Sequence, residues 1–209
     1  MSKSDKKNNK EEKPGTEKRD KGIETMFRIT SSNNQRLSDM ADKKAHILIT
    51  VNAIILSAII SLVLRKLDEN AYLTIPTIVL LTVCLISMVI SLLATRPAIP
   101  HGRFTEEDIE RKEVNLLFFG NFYRMDLETY ARGMFKVMGD TEFLYRTLIR
   151  DLYGQAVVLG KKYGLLRLAY NIFMFGLIIA VTSFVIAALS NNSAASSSRA
   201  VNPVHALSR

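Results

Sequence analysis

The stretch AHILITVNAIILSAIISLVL (Ala45–Leu64) decides the fold, because twenty consecutive residues carry no formal charge. An α-helix rises 1.5 Å per residue, so about 20 apolar residues cross the roughly 30 Å hydrocarbon core of a bilayer. Two further uncharged runs follow, at Leu73–Ala94 and Leu168–Leu189. Three runs of this length favour transmembrane helices over the alternative, buried helices of a soluble bundle.

Composition argues against catalytic and metal-binding classes. The 209 residues contain one cysteine, Cys84, and three histidines, far apart in sequence, so neither a disulfide framework nor a metal site is expected. The sequence lacks the common nucleophile, phosphate-binding and dinucleotide-binding motifs. We therefore expect neither an enzyme nor a cofactor, and no nucleic-acid partner. Met1–Glu24 is charged throughout, so no signal peptide is expected.

Basic residues indicate the orientation in the membrane. Short flanks that keep their positive charge mark the cytoplasmic side. Such residues precede the first run, follow the second and lead into the third: Lys43, Lys44, Arg96, Arg103, Lys161, Lys162 and Arg167. We predict a multi-pass membrane protein, with a cytoplasmic N-terminus and central segment and an external C-terminal tail.

These patterns predict an all-α integral membrane protein, with three transmembrane helices and a small, mainly helical cytoplasmic domain between the second and third. The predicted segments are a disordered charged tail (1–22), a cytoplasmic lead-in helix (23–44), the first two transmembrane helices (45–64 and 73–95), a cytoplasmic sensor segment (96–164), the third transmembrane helix (165–189) and a disordered external tail (190–209).

Start signals divide the sensor segment into helices. Thr105 precedes three acidic residues, and Asp126 precedes a helical stretch that ends at Gly139. Asp140 starts a last helix, whose apolar residues recur at helical spacing. No proline interrupts it before the third run, so we expect it to continue unbroken into the membrane.

Small and hydroxyl-bearing side chains form one stripe on each transmembrane helix, which permits close helix packing. The amide of Asn52 lies off the stripe of its helix and needs a hydrogen-bond partner in a bilayer. Two roles stay open: packing within a three-helix bundle, and contact with other subunits or lining of a pore. The candidate residues are His46, Asn52, Ser57, Ser91, Gly176 and Ser183.

Several strings carry a family resemblance when taken in order. They are ADKKAHILITVNAIILS (Ala41–Ser57), ATRP (Ala94–Pro97), NLLFFGNFYRM (Asn115–Met125) followed by Tyr130, DLYGQ (Asp151–Gln155) and KKYGLLRLA (Lys161–Ala169). The ordered set resembles the transmembrane effector family of Pycsar, the bacterial pyrimidine cyclase system for antiphage resistance, over about Met26–Leu189. Some relatives are fused to an HD-type phosphohydrolase, whose His-Asp pair this sequence does not carry.

The resemblance implies an effector of the bacterial inner membrane that is activated by a cyclic pyrimidine mononucleotide, cyclic UMP or cyclic CMP, made by a cognate cyclase. The implied response impairs membrane integrity and aborts infection. The implied partners are the lipid bilayer, the nucleotide and further copies of the chain. The alternative is a non-enzymatic membrane scaffold or anchor without ligand gating.

The segment NLLFFGNFYR (Asn115–Arg124) is the first candidate for nucleotide binding. The amides of Asn115 and Asn121 can hydrogen-bond a base edge, Tyr123 can stack on a base, and Arg124 can pair with a phosphate. Gly120 allows close backbone approach and a positive φ. In the alternative interpretation, the phenylalanines are core residues of an apolar strand or helix start, and the polar residues cap turns.

Overall fold

The computed structural model describes residues 14–63, 70–97 and 106–201. All regular secondary structure in these ranges is helical. The α-helices are α1 (Pro14–Ala58), α2 (Thr74–Thr95), α3 (Glu106–Glu110), α4 (Phe119–Phe122), α5 (Leu127–Gly139) and α6 (Thr141–Val201). A π-helical turn (Ile59–Val63) follows α1, and a 3₁₀ turn (Ala71–Leu73) precedes α2.

Three of these helices are long and apolar enough to cross a membrane. The candidate spans lie within Lys18–Ser61, Ala71–Thr95 and Thr141–Ser193. The prediction of an all-helical chain with three candidate spans is therefore confirmed for the described residues. Leu64, the last residue of the first predicted span, lies outside them, as does the predicted helix cap Thr105.

Both long helices extend into segments predicted to be disordered. Helix α1 begins at Pro14, so residues 14–22 are helical. Proline is favoured in the first turn, where its missing N–H would have no partner anyway. Helix α6 continues past Leu189 to Val201, since adding a residue to an existing helix costs far less than nucleating one. Residues 1–13 and 202–209 of the predicted tails lie outside the described part.

The chain forms two compact units. Unit 1 comprises the described residues within Met1–Leu37 and Ile99–Val157, and unit 2 those within Ser38–Ala98 and Val158–Arg209. Helices α1 and α6 each contribute residues to both units. The unbroken course of α6 agrees with the predicted continuation of the last helix into the third span.

Unit 1 is built around a small apolar core supplied by α3, α5, α6 and the irregular segment after α3. Its buried members are Ile109, Val114, Leu116, Val137 and Phe143. Gly133 of α5 lets the other elements approach, because an added Cβ would lie 2.6 Å from Leu116 Cδ1. The connections between α4, α5 and α6 are short, and a capping residue precedes each of the last two helices.

Two aspartates cap consecutive helices of unit 1 as the sequence predicts. The Asp126 carboxylate accepts a hydrogen bond from the backbone N–H of Thr129 at 2.9 Å, and Asp140 accepts one from the N–H of Phe143 at 3.0 Å. These N–H groups have no partner within their helices. The hydrogen bond from Thr129 lowers the pKa of Asp126, and the pKa of Asp140 is lowered first by the hydrogen bond from Lys112 and then by that from Phe143.

Unit 2 has the residue distribution of a membrane bundle. Helix α2 buries small and hydroxyl-bearing residues: Pro76, Thr77, Cys84, Ser87, Ser91 and Ala94. Several of its large apolar side chains, Ile75 and Leu85 among them, are more than half exposed on the surface of the chain. Water would favour the opposite arrangement, whereas close packing of small residues is what holds helices together in lipid.

Candidate functional site

A partly open cleft of about 460 Å³ lies in unit 1, between the first part of α1 and the first part of α6. This volume is within the range of small-molecule sites. The lining is mainly apolar, with a few polar groups, and comprises Asp20, Ile23, Glu24, Phe27, Arg28 and Ser31 of α1 and Leu144, Tyr145, Leu148, Asp151 and Leu152 of α6.

Two aromatic rings, one from each helix, line this α1–α6 cleft. The rings of Phe27 and Tyr145 are inclined by only 14°, with their centroids 6.4 Å apart. Both side chains are half-buried. The cleft therefore offers two nearly parallel ring faces, a surface on which a flat ligand ring can stack.

A chain of hydrogen bonds crosses one end of the cleft. Ser31 Oγ donates to Gln155 Oε1 at 3.4 Å, and Gln155 Nε2 donates to Asp151 Oδ2 at 2.7 Å. The other carboxylate oxygen, Asp151 Oδ1, accepts from Asn115 Nδ2 at 3.1 Å. The carboxylate of Asp151 is thus held in one orientation at the edge of the cleft.

The structure divides the four predicted ligand-binding residues into two pairs. Asn115 and Asn121 make internal hydrogen bonds, since Asn121 Nδ2 donates to the backbone oxygen of Asn115 at 2.7 Å and Asn115 Oδ1 accepts from the backbone N–H of Leu117 at 3.0 Å. Tyr123 and Arg124 are exposed, and the guanidinium carbon of Arg124 lies 5.1 Å from the centroid of the Tyr123 ring. The first pair shapes the segment and the second pair faces outward.

Gly120 lies inside α4, and none of the described glycines has a positive φ, so the positive φ that glycine allows is not adopted here. An added Cβ would lie 2.3 Å from Cε1 of the Phe118 ring. The residue with positive φ is Lys112, whose carbonyl accepts a hydrogen bond from Arg150.

Asn52 is fully buried in unit 2; its Nδ2 has an interhelical partner, whereas its Oδ1 has no hydrogen-bond partner in the described part of the chain. Its Nδ2 donates to the Leu48 carbonyl at 2.8 Å and to Ser87 Oγ at 3.4 Å. Ser87 Oγ in turn donates to the Ala169 carbonyl on α6 at 3.2 Å. One polar network therefore joins all three helices that contain candidate spans.

The other predicted membrane residues separate by exposure. Ser91 and Gly176 are buried within the bundle, and a Cβ at Gly176 would lie 2.4 Å from Val83 Cγ1. Ser183 is half-buried. In contrast, the stripe on α1 that contains His46 and Ser57 is exposed along its whole length. The stripes on α2 and α6 pack within the chain, and the stripe on α1 does not.

An ion pair joins α1 and α6 in unit 2. Lys162 Nζ lies 2.9 and 2.8 Å from the two carboxylate oxygens of Asp42 and 3.0 Å from Ser38 Oγ. The Lys162 side chain is 16% exposed and that of Asp42 is 34% exposed. Tyr163 and Leu166 pack beside it against Ala41 and Ala45. We refer to Ser38, Asp42 and Lys162 as the α1–α6 clasp.

Sequence reasoning missed the cleft and the clasp for the same reason. Phe27 and Asp42 belong to a segment whose sequence indicates only a lead-in helix to the membrane, and no local pattern reveals its pairing with a distant helix. One signal was available: Phe27 and Ser31 lie one turn apart, so they share a face of α1.

Comparison with known proteins gives the family. The family model of the Pycsar effector protein domain matches residues 25–189. The chain belongs to the Pycsar effector family. The match includes both walls of the cleft beyond residue 24 and all three candidate spans, so this Pycsar effector is a membrane protein of antiphage defence. No curated protein and no solved structure gives a significant match.

Proposed function

We propose that this Pycsar effector binds a cyclic pyrimidine mononucleotide through unit 1 and responds by impairing the integrity of the bacterial inner membrane, which aborts infection. The observation that carries the proposal is the family match over residues 25–189. The two long helices support it, since α1 and α6 each supply residues to unit 1 and then continue in sequence into a candidate span.

Two independent arguments support the proposed membrane topology. Residues before the first span and residues between the second and third spans belong to the same unit, joined by contacts such as Phe27–Tyr145 and Ser31–Gln155. Segments on opposite sides of a bilayer could not make these contacts. The basic flanks support the cytoplasm as this shared side.

Cysteine labelling tests this topology. Cys84 is the one cysteine of the chain, so a Cys84→Ala background removes the native thiol. In this background, Ser197→Cys should react with a membrane-impermeant maleimide from outside intact spheroplasts, and Thr105→Cys should react only after lysis. The reverse pattern would contradict the orientation.

The segment Asn115–Arg124 stays a candidate for nucleotide contacts. Tyr123 and Arg124 provide an exposed ring and an exposed cation next to each other, which can stack on a base and pair with a phosphate. Asn115 and Asn121 would act through the shape of the segment, because their amides are engaged in hydrogen bonds.

We further propose that the effector assembles into homo-oligomers through the stripe on α1. Its exposed small and hydroxyl-bearing residues, Thr50, Ala53 and Ser57 among them, line a shallow groove. Small residues permit a second helix to approach closely. The stripes on α2 and α6 are occupied within the chain, so Gly176→Leu would disrupt the fold itself and cannot test assembly.

The test of assembly is substitution on the α1 stripe. Ala53→Leu and Ser57→Leu keep the span hydrophobic but block close approach, so crosslinked oligomers and ligand-dependent dye entry should both decrease. Ile47→Leu is the control, since Ile47 is an exposed large apolar residue of the same helix. Unchanged crosslinking in both stripe variants would exclude this interface.

A leakage assay tests the central proposal. The purified protein is reconstituted into liposomes loaded with a self-quenching dye, and cyclic CMP, UMP, AMP and GMP are added separately. We expect dye release with a cyclic pyrimidine nucleotide and none with the purine nucleotides. Release with none of the four would leave the ungated scaffold as the function of the chain.

A further inference from the structure

We propose that the nucleotide binds in the α1–α6 cleft, with its pyrimidine ring stacked against Phe27 and Tyr145 and its phosphodiester paired with Arg28. This inference rests on the proposed function for the class of ligand, and on the geometry of unit 1 for the place. The binding site is then a cavity formed by two helices and not the exposed surface of Tyr123 and Arg124.

The shape of the cleft suits a single flat ring. Phe27 and Tyr145 present nearly parallel faces with centroids 6.4 Å apart. Full insertion of a ring requires two stacking distances of about 3.5 Å, or about 7 Å in total, so the two aromatic side chains must separate by about 0.6 Å or more. Stacking on one face requires no such movement. Apolar side chains of both helices, Ile23, Leu144, Leu148 and Leu152, cover the rest of the cavity.

The lining carries one cation, Arg28, and three carboxylates, Asp20, Glu24 and Asp151, so Arg28 is the group that can pair with a phosphate. Arg28 is exposed and is the only cation in the lining, and no ion pair engages it within the part of the chain that the structure describes. A guanidinium is the preferred partner of a phosphate oxygen. Glu24, one turn before Arg28, supplies a carboxylate of the kind that accepts a hydrogen bond from a ribose 2′-hydroxyl.

The polar edge of the cleft favours cytosine over uracil. Carboxylates accept hydrogen bonds from the exocyclic amine of cytosine. The fixed carboxylate of Asp151 can accept further hydrogen bonds beyond those from Asn115 and Gln155. Uracil carries a carbonyl oxygen at the position of that amine, which a carboxylate repels. Cyclic CMP is therefore the expected ligand of higher affinity.

Binding in this cleft also gives the ligand a direct effect on the membrane helices. Phe27 and Tyr145 lie on α1 and α6, which both continue in sequence into candidate spans. A ligand ring that spreads these side chains biases the relative position of the two helices in unit 1. A ligand bound at Tyr123 and Arg124 would have no such direct effect on the position of α1.

Calorimetry on the full-length protein in detergent tests the proposal, with cyclic CMP and cyclic UMP as probes. Arg28→Gln and Tyr145→Leu should each weaken cyclic CMP binding, the latter by about five- to 150-fold as expected for loss of base stacking. Arg36→Gln is the matched control, because Arg36 lies two turns further along α1, is exposed and does not line the cleft. It should bind as the wild type does.

Arg124→Gln decides between the two locations. The cleft is supported if the Arg124→Gln variant binds cyclic CMP as the wild type does and the Arg28→Gln variant does not. The reverse pattern overturns the cleft as the site and leaves the proposed function intact. If the wild type binds neither nucleotide, the proposed function and this proposal fail together. Arg28 is exposed, so Arg28→Gln is expected to fold, and circular dichroism melting checks this. Equal affinity of cyclic UMP and cyclic CMP would overturn the assignment of Asp151.

Discussion

Replacing Lys162 with methionine should weaken the attachment of α6 to α1 in unit 2. Methionine retains most of the apolar stem but removes the charge that contacts Asp42 and Ser38. Hydrogen bonds to charged groups contribute about 1.5–3 kcal/mol each when buried, and exposed ion pairs only about 0.2–1 kcal/mol. The clasp is intermediate, with side chains 16% and 34% exposed. We therefore expect a loss of about 2 kcal/mol.

A double-mutant cycle separates the pair from its surroundings. Asp42→Asn alone and Lys162→Met alone should each lower the melting temperature of the purified protein in detergent. In the double variant, neither charge remains without its partner, so the loss should be smaller than the sum of the two single losses. The expected coupling energy is about 1–2 kcal/mol, within the range measured for contacting residues.

The same variants test whether the clasp belongs to the resting state. A loss of about 2 kcal/mol changes a two-state equilibrium roughly thirtyfold. Under the proposed function, Lys162→Met should therefore raise dye entry into cells that make no cyclic nucleotide. Lys161→Met is the control, since Lys161 is exposed and precedes the clasp by one residue. Additive melting losses, with no coupling between Asp42 and Lys162, would refute the reasoning.

Two further predictions concern unit 1. Gly133→Ala should destabilise it by about 1–3 kcal/mol through overpacking against Leu116, whereas Gly154→Ala, with open space around it, should be neutral or stabilising in thermal melts. The pKa of Asp126 is lowered in the folded state by the hydrogen bond from Thr129, so its stabilising effect is full above the unfolded pKa of about 4 and is lost as the pH falls through the folded value. Melting curves at decreasing pH should show this loss in the wild type and less of it in Asp126→Asn.

Much of the fold follows from local sequence patterns. The spans follow from uncharged runs of bilayer length, and the start of α5 follows from Asp126, because both depend on a few neighbouring residues. The helical extension of α1 to Pro14 was not predicted, since charged composition indicates only a lack of core residues. A long helix can continue through such a segment once packing elsewhere has nucleated it.

Which faces of the three long helices are buried within the chain could be predicted only in part. The depth of Asn52 requires a partner, and the sequence correctly placed it away from the stripe on its helix. Three stripes of similar composition gave no sign that those of α2 and α6 are buried and that of α1 is exposed. That distinction depends on which helices meet, and the polar network from Asn52 through Ser87 to Ala169 fixes it in three dimensions.

The energies of the clasp and of the ligand are of comparable size, and this makes a switch feasible. A ligand shifts a conformational equilibrium only by its difference in affinity for the two states, and a hundredfold difference provides about 2.7 kcal/mol. The α1–α6 clasp is expected to contribute about 2 kcal/mol to one arrangement of the same two helices. One nucleotide bound at Phe27 and Tyr145 could thus offset one clasp at Asp42 and Lys162. The clasp variants should accordingly need less nucleotide for dye release, and an unchanged half-maximal concentration would show that the two sites are uncoupled.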